Sequence, residues 1–305
     1  MKMHRGNWAG LRRKLKHIAM EIGQLPGLRL LARPLYRRLF QRPYQGGNHY
    51  YGVYQTYGQA LADAPPTLPS TYDQEVSGRI YRSHLDHIKV SDYPAVHWLS
   101  RLLASGQRRI FDLGGHIGVS YYGFRRYVDY PADLHWLIHD VPAVLAAGRE
   151  WATEHDPERR LAFTDSREAA DGADVLFTAG ALQYLDYTLP DLLRGLQRPP
   201  AHVLVNLVPM HPSRGYFTLQ NIGFAICPYR VSAVPEFVAG MQALGYSIVD
   251  RWETFERHLE VPFAPDCDID CYYGFYFARD PQAQAATSPA RATRRVAMQP
   301  AAAGA

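Results

Sequence analysis

From Arg109 to Arg279 the chain alternates short apolar runs with segments of helical periodicity, and this alternation restricts the fold more than any other feature. "RIFDLG" (109–114), "LHWLIHD" (134–140), "LAFTD" (161–165), "ADVLFTAG" (173–180) and "AHVLVNLVP" (201–209) read as strands. "VSYYGFRRYVD" (119–129), "VPAVLAAGREWATEH" (141–155) and "YTLPDLLRGLQ" (187–197) read as the helices between them. Ahead of them, "YPAVHWLSRLLASG" (93–106) places Val96, Trp98, Leu99, Leu102 and Leu103 at helical spacing and stops at Gly106. A helix "VPEFVAGMQALG" (234–245) and two strands, "YSIVDRWE" (246–253) and "CYYGFYFAR" (271–279), close the series. Such a pattern predicts a doubly wound α/β fold, a mostly parallel sheet covered by helices on both faces.

The first strand runs into "GGHIG", with Gly114, Gly115 and Gly118 within five residues. A glycine-rich turn after the first strand of such a sheet lets backbone approach a ligand and points free helix N–H groups at it. A dinucleotide fingerprint requires G-x-G-x-x-G. Begun at Gly114 it fails at His116 and Val119, and begun at Gly115 it fails at Ile117 and Ser120. The second strand ends in Asp140, where an acid can accept hydrogen bonds from ribose hydroxyls.

The spacing of Asp112, Gly114 and Gly118 resembles the acid-x-Gly-x-Gly-x-Gly motif of class I S-adenosylmethionine-dependent methyltransferases, with His116 in place of the middle glycine. "DVPAVLAAGRE" after Asp140 looks like the corner of small-molecule O-methyltransferases, and "DVLFTAGALQYLDY" (174–187) resembles their fourth-strand motif. The ordered set "YYGVYQTYGQAL", "FDLGGHIG", "GALQYL", "FTLQNIGFAICPYRV" (217–231) and "GYSIVDRW" is similar to a little-characterised family of bacterial proteins assigned as methyltransferases. The resemblance spans roughly residues 50–279 and implies a class I methyltransferase-like Rossmann fold, seven strands ending in a reversed C-terminal hairpin, with S-adenosylmethionine as cofactor.

The same resemblance marks candidate residues, each with a structural alternative. Asp112, with Gly114, Gly115 and Gly118, is expected to hold the methionine end of the cofactor; Asp112 can equally cap the glycine turn. Asp140 is expected at the ribose and Asp165 at the adenine amino group, although both sit where a helix N-cap belongs. Gln183 and Tyr184 follow the fourth strand and face the cofactor and the reacting methyl, unless Tyr184 is core. His116 and His211 are the candidate bases, a histidine being the usual proton acceptor near neutral pH, and both can be purely structural. Gln220, Asn221, Tyr229 and Arg230 form a candidate substrate-side flap in which Arg230 binds an anionic group; a packed hairpin with Arg230 paired at the surface is the alternative. "CDIDC" (267–271) with His258 lacks a second ligand pair, so no metal is expected.

Charge is divided along the chain. Residues 1–45 hold 11 Lys and Arg against one acid, Glu21, whereas the remainder holds 22 basic and 28 acidic residues. An acidic body argues against a nucleic-acid enzyme, whose cleft needs cations to neutralise phosphates. The basic stretch, broken by Pro26 and Pro34, reads as a helical extension that either packs on the body or lies on anionic lipid. No run of about 18 apolar residues occurs, so no transmembrane helix is expected, and no signal peptide is recognised. Three cysteines are too few for a disulfide framework and point to a reducing cytoplasm.

These observations divide the chain into a basic helical extension (1–45), an aromatic cap (46–92), a methyltransferase-like domain (93–280) and an Ala-rich tail (281–305) with too few large apolar groups to order itself. The expected function is methyl transfer from S-adenosylmethionine to an oxygen or nitrogen of a small molecule, with a sugar or glycan precursor as candidate acceptor. Two rivals stand beside it. One is a catalytically silent scaffold, favoured by His116 in the turn. The other is a membrane-surface enzyme using the basic arm.

Overall fold

A computed structural model describes residues 27–43, 48–80, 82 and 85–279. Most of the basic extension expected over 1–45, and the whole of the tail over 281–305, lie outside the described residues.

The body is the doubly wound α/β sheet that the alternation predicts. Its parallel strands are β2 (Arg109–Leu113), β3 (His135–His139), β4 (Leu161–Thr164), β5 (Val175–Ala179) and β6 (His202–His211), numbered after a first strand in the cap, β1 (His49–Tyr54). After two further strands, β7 (Tyr216–Asn221) and β8 (Ile226–Ala233), come β9 (Tyr246–Thr254) and β10 (Tyr272–Arg279). Strand β10 pairs antiparallel with both β6 and β9, giving the body order β4-β3-β2-β5-β6-β10-β9. The reversed C-terminal hairpin expected from the sequence is therefore present. β2 lies at the centre, with Ile110 opposite Trp136 of β3 on one side and Val175 of β5 on the other.

Successive side chains on these strands face opposite sides, and both sides are dry. Ile110, Trp136, Ile138, Val175, Phe177 and Leu204 join one core cluster, while Phe111, Leu113, Leu176, Val203, Val205 and Phe275 join another on the opposite face. The first is covered by α4 (Tyr93–Ala104), through Leu99, Leu102 and Leu103, and by α6 (Pro142–His155), through Val144 and Leu145. Both helices carry proline in the first turn, where its missing N–H costs no hydrogen bond. The helices α7 (Leu189–Arg194) and α8 (Val234–Gln242) cover the second cluster with Leu192, Leu193, Phe237 and Met241.

The sheet is larger than the seven strands expected. β7 and β8 form an antiparallel hairpin, β1 pairs antiparallel on β7, and the C-terminal end of β6 pairs parallel with β8 at Met210–Ser232 and His211–Ala233. Ten strands thus make one continuous sheet. The hairpin hides from a period-two search because β7 is buried at every position, so polar and apolar residues do not alternate along it. The helix α1 (Arg29–Phe40) packs on β1 by Tyr36 and Phe40, whose rings lie 6.3 and 5.5 Å from that of Tyr51. Two short helices, α2 (Tyr57–Asp63) and α3 (Ser77–Ile80), complete the cap; α5 (Val119–Phe124) follows the glycine turn.

Candidate cofactor and acceptor cavity

The parallel strands point their C-terminal ends at a cavity of about 640 Å³ roofed by the cap. β2 contributes the segment Leu113 to His116, β3 contributes His139 and Asp140, β5 contributes Ala179 and Gly180, and β6 contributes Leu207. β2 is where successive connections leave in opposite directions, and such a switch point opens a crevice beyond the strand ends.

The floor is the glycine turn. Gly114 has φ +73°, and a Cβ there would stand 2.2 Å from the Cβ of Ala181. A Cβ on Gly115 would meet the Asp112 carboxyl carbon at 2.4 Å. Backbone and carboxylate are therefore packed as closely as glycine allows. Gly118, at φ +99°, starts α5 and is not among the cavity-lining residues.

Asp112 is 1% exposed and lines the cavity. Its Oδ2 accepts from Trp136 Nε1 at 2.9 Å, while Oδ1 has no hydrogen-bond partner. Burial pushes its pKa up to about 7, opposed by the Trp136 bond and reinforced by the charge of Asp140. Asp140 accepts from the backbone N–H of His116 at 2.9 Å through Oδ2 and from that of Val141 at 2.8 Å through Oδ1. Burial raises this carboxyl to about 6 despite those two donors. A carboxylate has about four acceptor sites, so both oxygens retain capacity toward the cavity. Asp165 lines the same cavity and is exposed to solvent.

His116 holds φ +57°, an uncommon conformation for a residue with a side chain. Its ring Nε2 bonds the carbonyl of Ser77 at 2.9 Å, so Nε2 carries the proton. The imidazole is thus turned onto α3 and forms part of the wall. Burial lowers its pKa to about 4, which keeps it neutral near pH 7 and makes it a weak base. His211 is not among the lining residues: its Nδ1 accepts from the backbone N–H groups of Ser213 and Arg214, each at 3.2 Å, and caps a turn.

Gln183 lines the cavity, donates through Nε2 to Gly180 O at 2.8 Å, and leaves Oε1 buried without a partner. Tyr184 donates to Gln220 Oε1 at 2.7 Å, Gln220 Nε2 donates to the Tyr50 hydroxyl at 3.1 Å, and the hydroxyls of Tyr229 and Tyr272 lie 2.8 Å apart. Tyr184, Gln220, Tyr229 and Tyr272 all line the cavity, so this wall is a network of phenols and one amide. Burial raises the phenols of Tyr229 and Tyr272 well above their usual value, and they stay neutral donors.

Two expected substrate residues lie elsewhere. Asn221 ties α1 to the hairpin, its Nδ2 donating to the carbonyls of Phe40 and Arg42 and its Oδ1 accepting from Gly223 N–H. Arg230 donates to the carbonyls of Leu185 and Tyr187 and stacks over the Phe217 ring at 4.6 Å. In a strand, alternate residues face opposite sides, which is why Tyr229 reaches the cavity and Arg230 does not. Lining residues that spacing did not single out include Tyr72, His87, Lys89, Asp92 and Arg257. Tyr57 and Tyr272, from the Tyr-rich stretches 49–58 and 270–280, line the cavity too. Among the described residues no group of three His, Cys, Asp or Glu side chains is placed to hold a metal ion.

No protein-family profile matches the chain, and no curated protein matches it. Among solved structures it is similar to the magnesium protoporphyrin IX methyltransferase of Synechocystis PCC 6803 with bound SAH, at 12% identity over 68% of this chain and 96% of that one, with a TM-score of 0.46. It is also similar to the 1,6-didemethyltoxoflavin-N1-methyltransferase of Burkholderia thailandensis, at 17% identity over 77% and 99% of the two chains and a TM-score of 0.44. A third is the mitomycin 7-O-methyltransferase, at 18% identity over 74% and 61% and a TM-score of 0.39. At these values none of them transfers a residue's role or a substrate to this chain.

Proposed function

We propose that the cavity binds S-adenosylmethionine and that the chain transfers its methyl group to an oxygen or nitrogen of a small molecule. The observation that carries this is the buried Asp112 Oδ1, an acceptor without a partner beneath a turn too tight for any side chain at Gly114 or Gly115. Gln183 Oε1 is a second such acceptor on the same cavity wall. A buried acceptor left unmatched costs about 1–3 kcal/mol, and a ligand ammonium is a donor that would satisfy both. Asp140, with acceptor capacity left on each oxygen, suits a pair of ribose hydroxyls, and exposed Asp165 suits the adenine amino group.

When bound, the cofactor supplies a methyl group already activated by its sulfonium charge. The chain's own work is alignment and exclusion of water. Asp112, Gln183, Asp140 and Asp165 would fix one ligand. The wall of Tyr72, Tyr184, Tyr229 and Tyr272 would hold the acceptor against it, with phenols as hydrogen-bond donors and ring faces for flat groups or for the C–H face of a sugar. A sugar or glycan precursor is accordingly a fitting acceptor. His116 is too weak a base, and His211 too remote, to give either a proton-accepting role; acceptors that need little deprotonation suit the site best.

Calorimetry with S-adenosylhomocysteine on the full chain tests this. Binding tighter than about millimolar, or −4 kcal/mol, is expected; failure to reach it would support the silent scaffold, a role for which orphaned acceptors at a cavity floor have no purpose.

A second reading concerns the basic N-terminal stretch, in which we infer peripheral contact with anionic lipid. Leu28 at the N-cap of α1 and Leu31, Leu35 and Leu39 within it recur at helical spacing and are 46%, 75%, 60% and 52% exposed. Exposed Arg33 and Arg38 accompany them, and α1 has no acid. Exposed leucines beside arginines suit an interface of acyl chains and anionic headgroups. Among the described residues no helix is long and apolar enough to cross a membrane.

A further inference from the structure

We propose that the acceptor carries an anionic group, a carboxylate or a phosphate, held by Lys89 and Arg257. The role of this ligand as methyl acceptor rests on the function proposed above; the anion site itself rests on the two cations.

Lys89 and Arg257 both line the cavity, and among the described residues neither has a carboxylate within ion-pair distance. Asp92 also lines the cavity and its charge acts on both Lys89 and Arg257, but it closes to ion-pair distance with neither, so one carboxylate stands against two cations. Its Oδ2 accepts from the Lys89 backbone N–H at 2.9 Å and its Oδ1 from Asn206 Nδ2 at 3.2 Å. Lys89 is held below its usual pKa by burial first and by the like charge of Arg257 second. Two cations against the single charge of Asp92 leave a net positive charge, which a ligand anion between them would neutralise.

The arrangement across the sheet agrees. The acids Asp112, Asp140 and Asp165 stand at or just beyond the ends of β2, β3 and β4. Arg257 follows β9, and Lys89 begins the turn (Val90–Asp92) whose Asp92 bonds Asn206 of β6. In the order β4-β3-β2-β5-β6-β10-β9 these groups occupy opposite halves. The half with three acids therefore suits a cationic ligand, and the half where Lys89 and Arg257 outnumber Asp92 suits an anionic one. Tyr272 lies on the basic side, close enough for Arg257 to act on its phenol, and adds a neutral O–H donor. Guanidinium, ammonium and phenol together make a donor set for carboxylate or phosphate oxygens.

The test uses the full chain saturated with S-adenosylhomocysteine and three calorimetric comparisons: glucuronate against glucose, glucose 1-phosphate against methyl glucoside, and 4-hydroxybenzoate against 4-hydroxybenzamide. In at least one pair the anion should bind about tenfold or more tightly than its neutral partner, the scale of one charge-assisted hydrogen bond. Preference for the sugar phosphate alone assigns a phosphate, and preference for the acids alone assigns a carboxylate. Lys89→Met and Arg257→Met should each reduce that preference and leave S-adenosylhomocysteine affinity within about twofold, since neither stands among the cofactor-side acids. If no anion outbinds its neutral partner, or if the preference survives both substitutions, the anion site is wrong. If S-adenosylhomocysteine does not bind, the methyl-transfer proposal fails separately, and the same comparisons on the ligand-free chain still decide the anion site.

Discussion

Replacing Asp112 by asparagine should make the ligand-free protein more stable at pH 8 and poorer at binding S-adenosylhomocysteine. The carboxyl is 1% exposed, is served by one donor, Trp136 Nε1, and leaves Oδ1 without a partner. Burial raises its pKa from 3.8 to about 7. Between those two pH values the folded chain keeps a proton that the unfolded chain has released. Stability therefore falls as pH rises through this window and levels off above it. At 1.36 kcal/mol per pH unit, the accumulated cost above pH 7 is about 4 kcal/mol. Asparagine keeps an acceptor for Trp136 and carries no charge, but it places an NH₂ where Oδ1 lacks a partner, at a cost of about 1–3 kcal/mol. The net expectation is a gain of about 1–3 kcal/mol at pH 8, shrinking by about 3 kcal/mol between pH 8 and pH 5. Urea unfolding followed by far-UV circular dichroism at the two pH values measures it. Calorimetry at pH 8 should show weaker S-adenosylhomocysteine binding, because the amide offers a donor where an ammonium needs an acceptor. An Asp112→Asn variant less stable than wild type by the same amount at both pH values would refute the buried-charge argument.

Three further outcomes are expected. Asp140→Ala removes the acceptor for two backbone N–H groups and for the ribose hydroxyls proposed to bind there, and should weaken S-adenosylhomocysteine binding by about 10- to 100-fold in calorimetry. Gly114→Ala should lower stability by roughly 2 kcal/mol or more in urea unfolding, since the new Cβ meets both a left-handed backbone and the Ala181 Cβ at 2.2 Å. Leu31→Glu with Leu35→Glu should abolish co-sedimentation of the full chain with phosphatidylserine vesicles while leaving calorimetric S-adenosylhomocysteine affinity unchanged; vesicle binding equal to wild type would remove α1 from the membrane reading.

Local pattern made much of the frame readable. The strand at 109–114 was placed to within one residue of β2, as was that at 134–140 for β3, because an apolar run bounded by glycine and acid carries its own start and stop. The glycine turn and Asp140 were legible for the same reason: each is defined by neighbours in sequence. His211 shows where this ends. Its position after a strand suggested a base, yet its ring nitrogen closes a turn with Ser213 and Arg214, a choice made by three-dimensional packing. The hairpin of β7 and β8 is legible only as the alternative to a substrate-side flap, because burial at every position of β7 erases alternation there.

Sequence by itself determined the parallel body and the acid-and-glycine floor of the cavity, since periodicity and turn chemistry act over a few residues, while the reversed final hairpin is what the family resemblance implies. Tertiary structure alone decided that β1 closes onto the β7–β8 hairpin, that His116 turns to Ser77, and that Lys89 and Arg257 share one cavity with Tyr272. Those side chains come from segments far apart along the chain. Their convergence depends on how finished elements pack, and no local spacing carries that information.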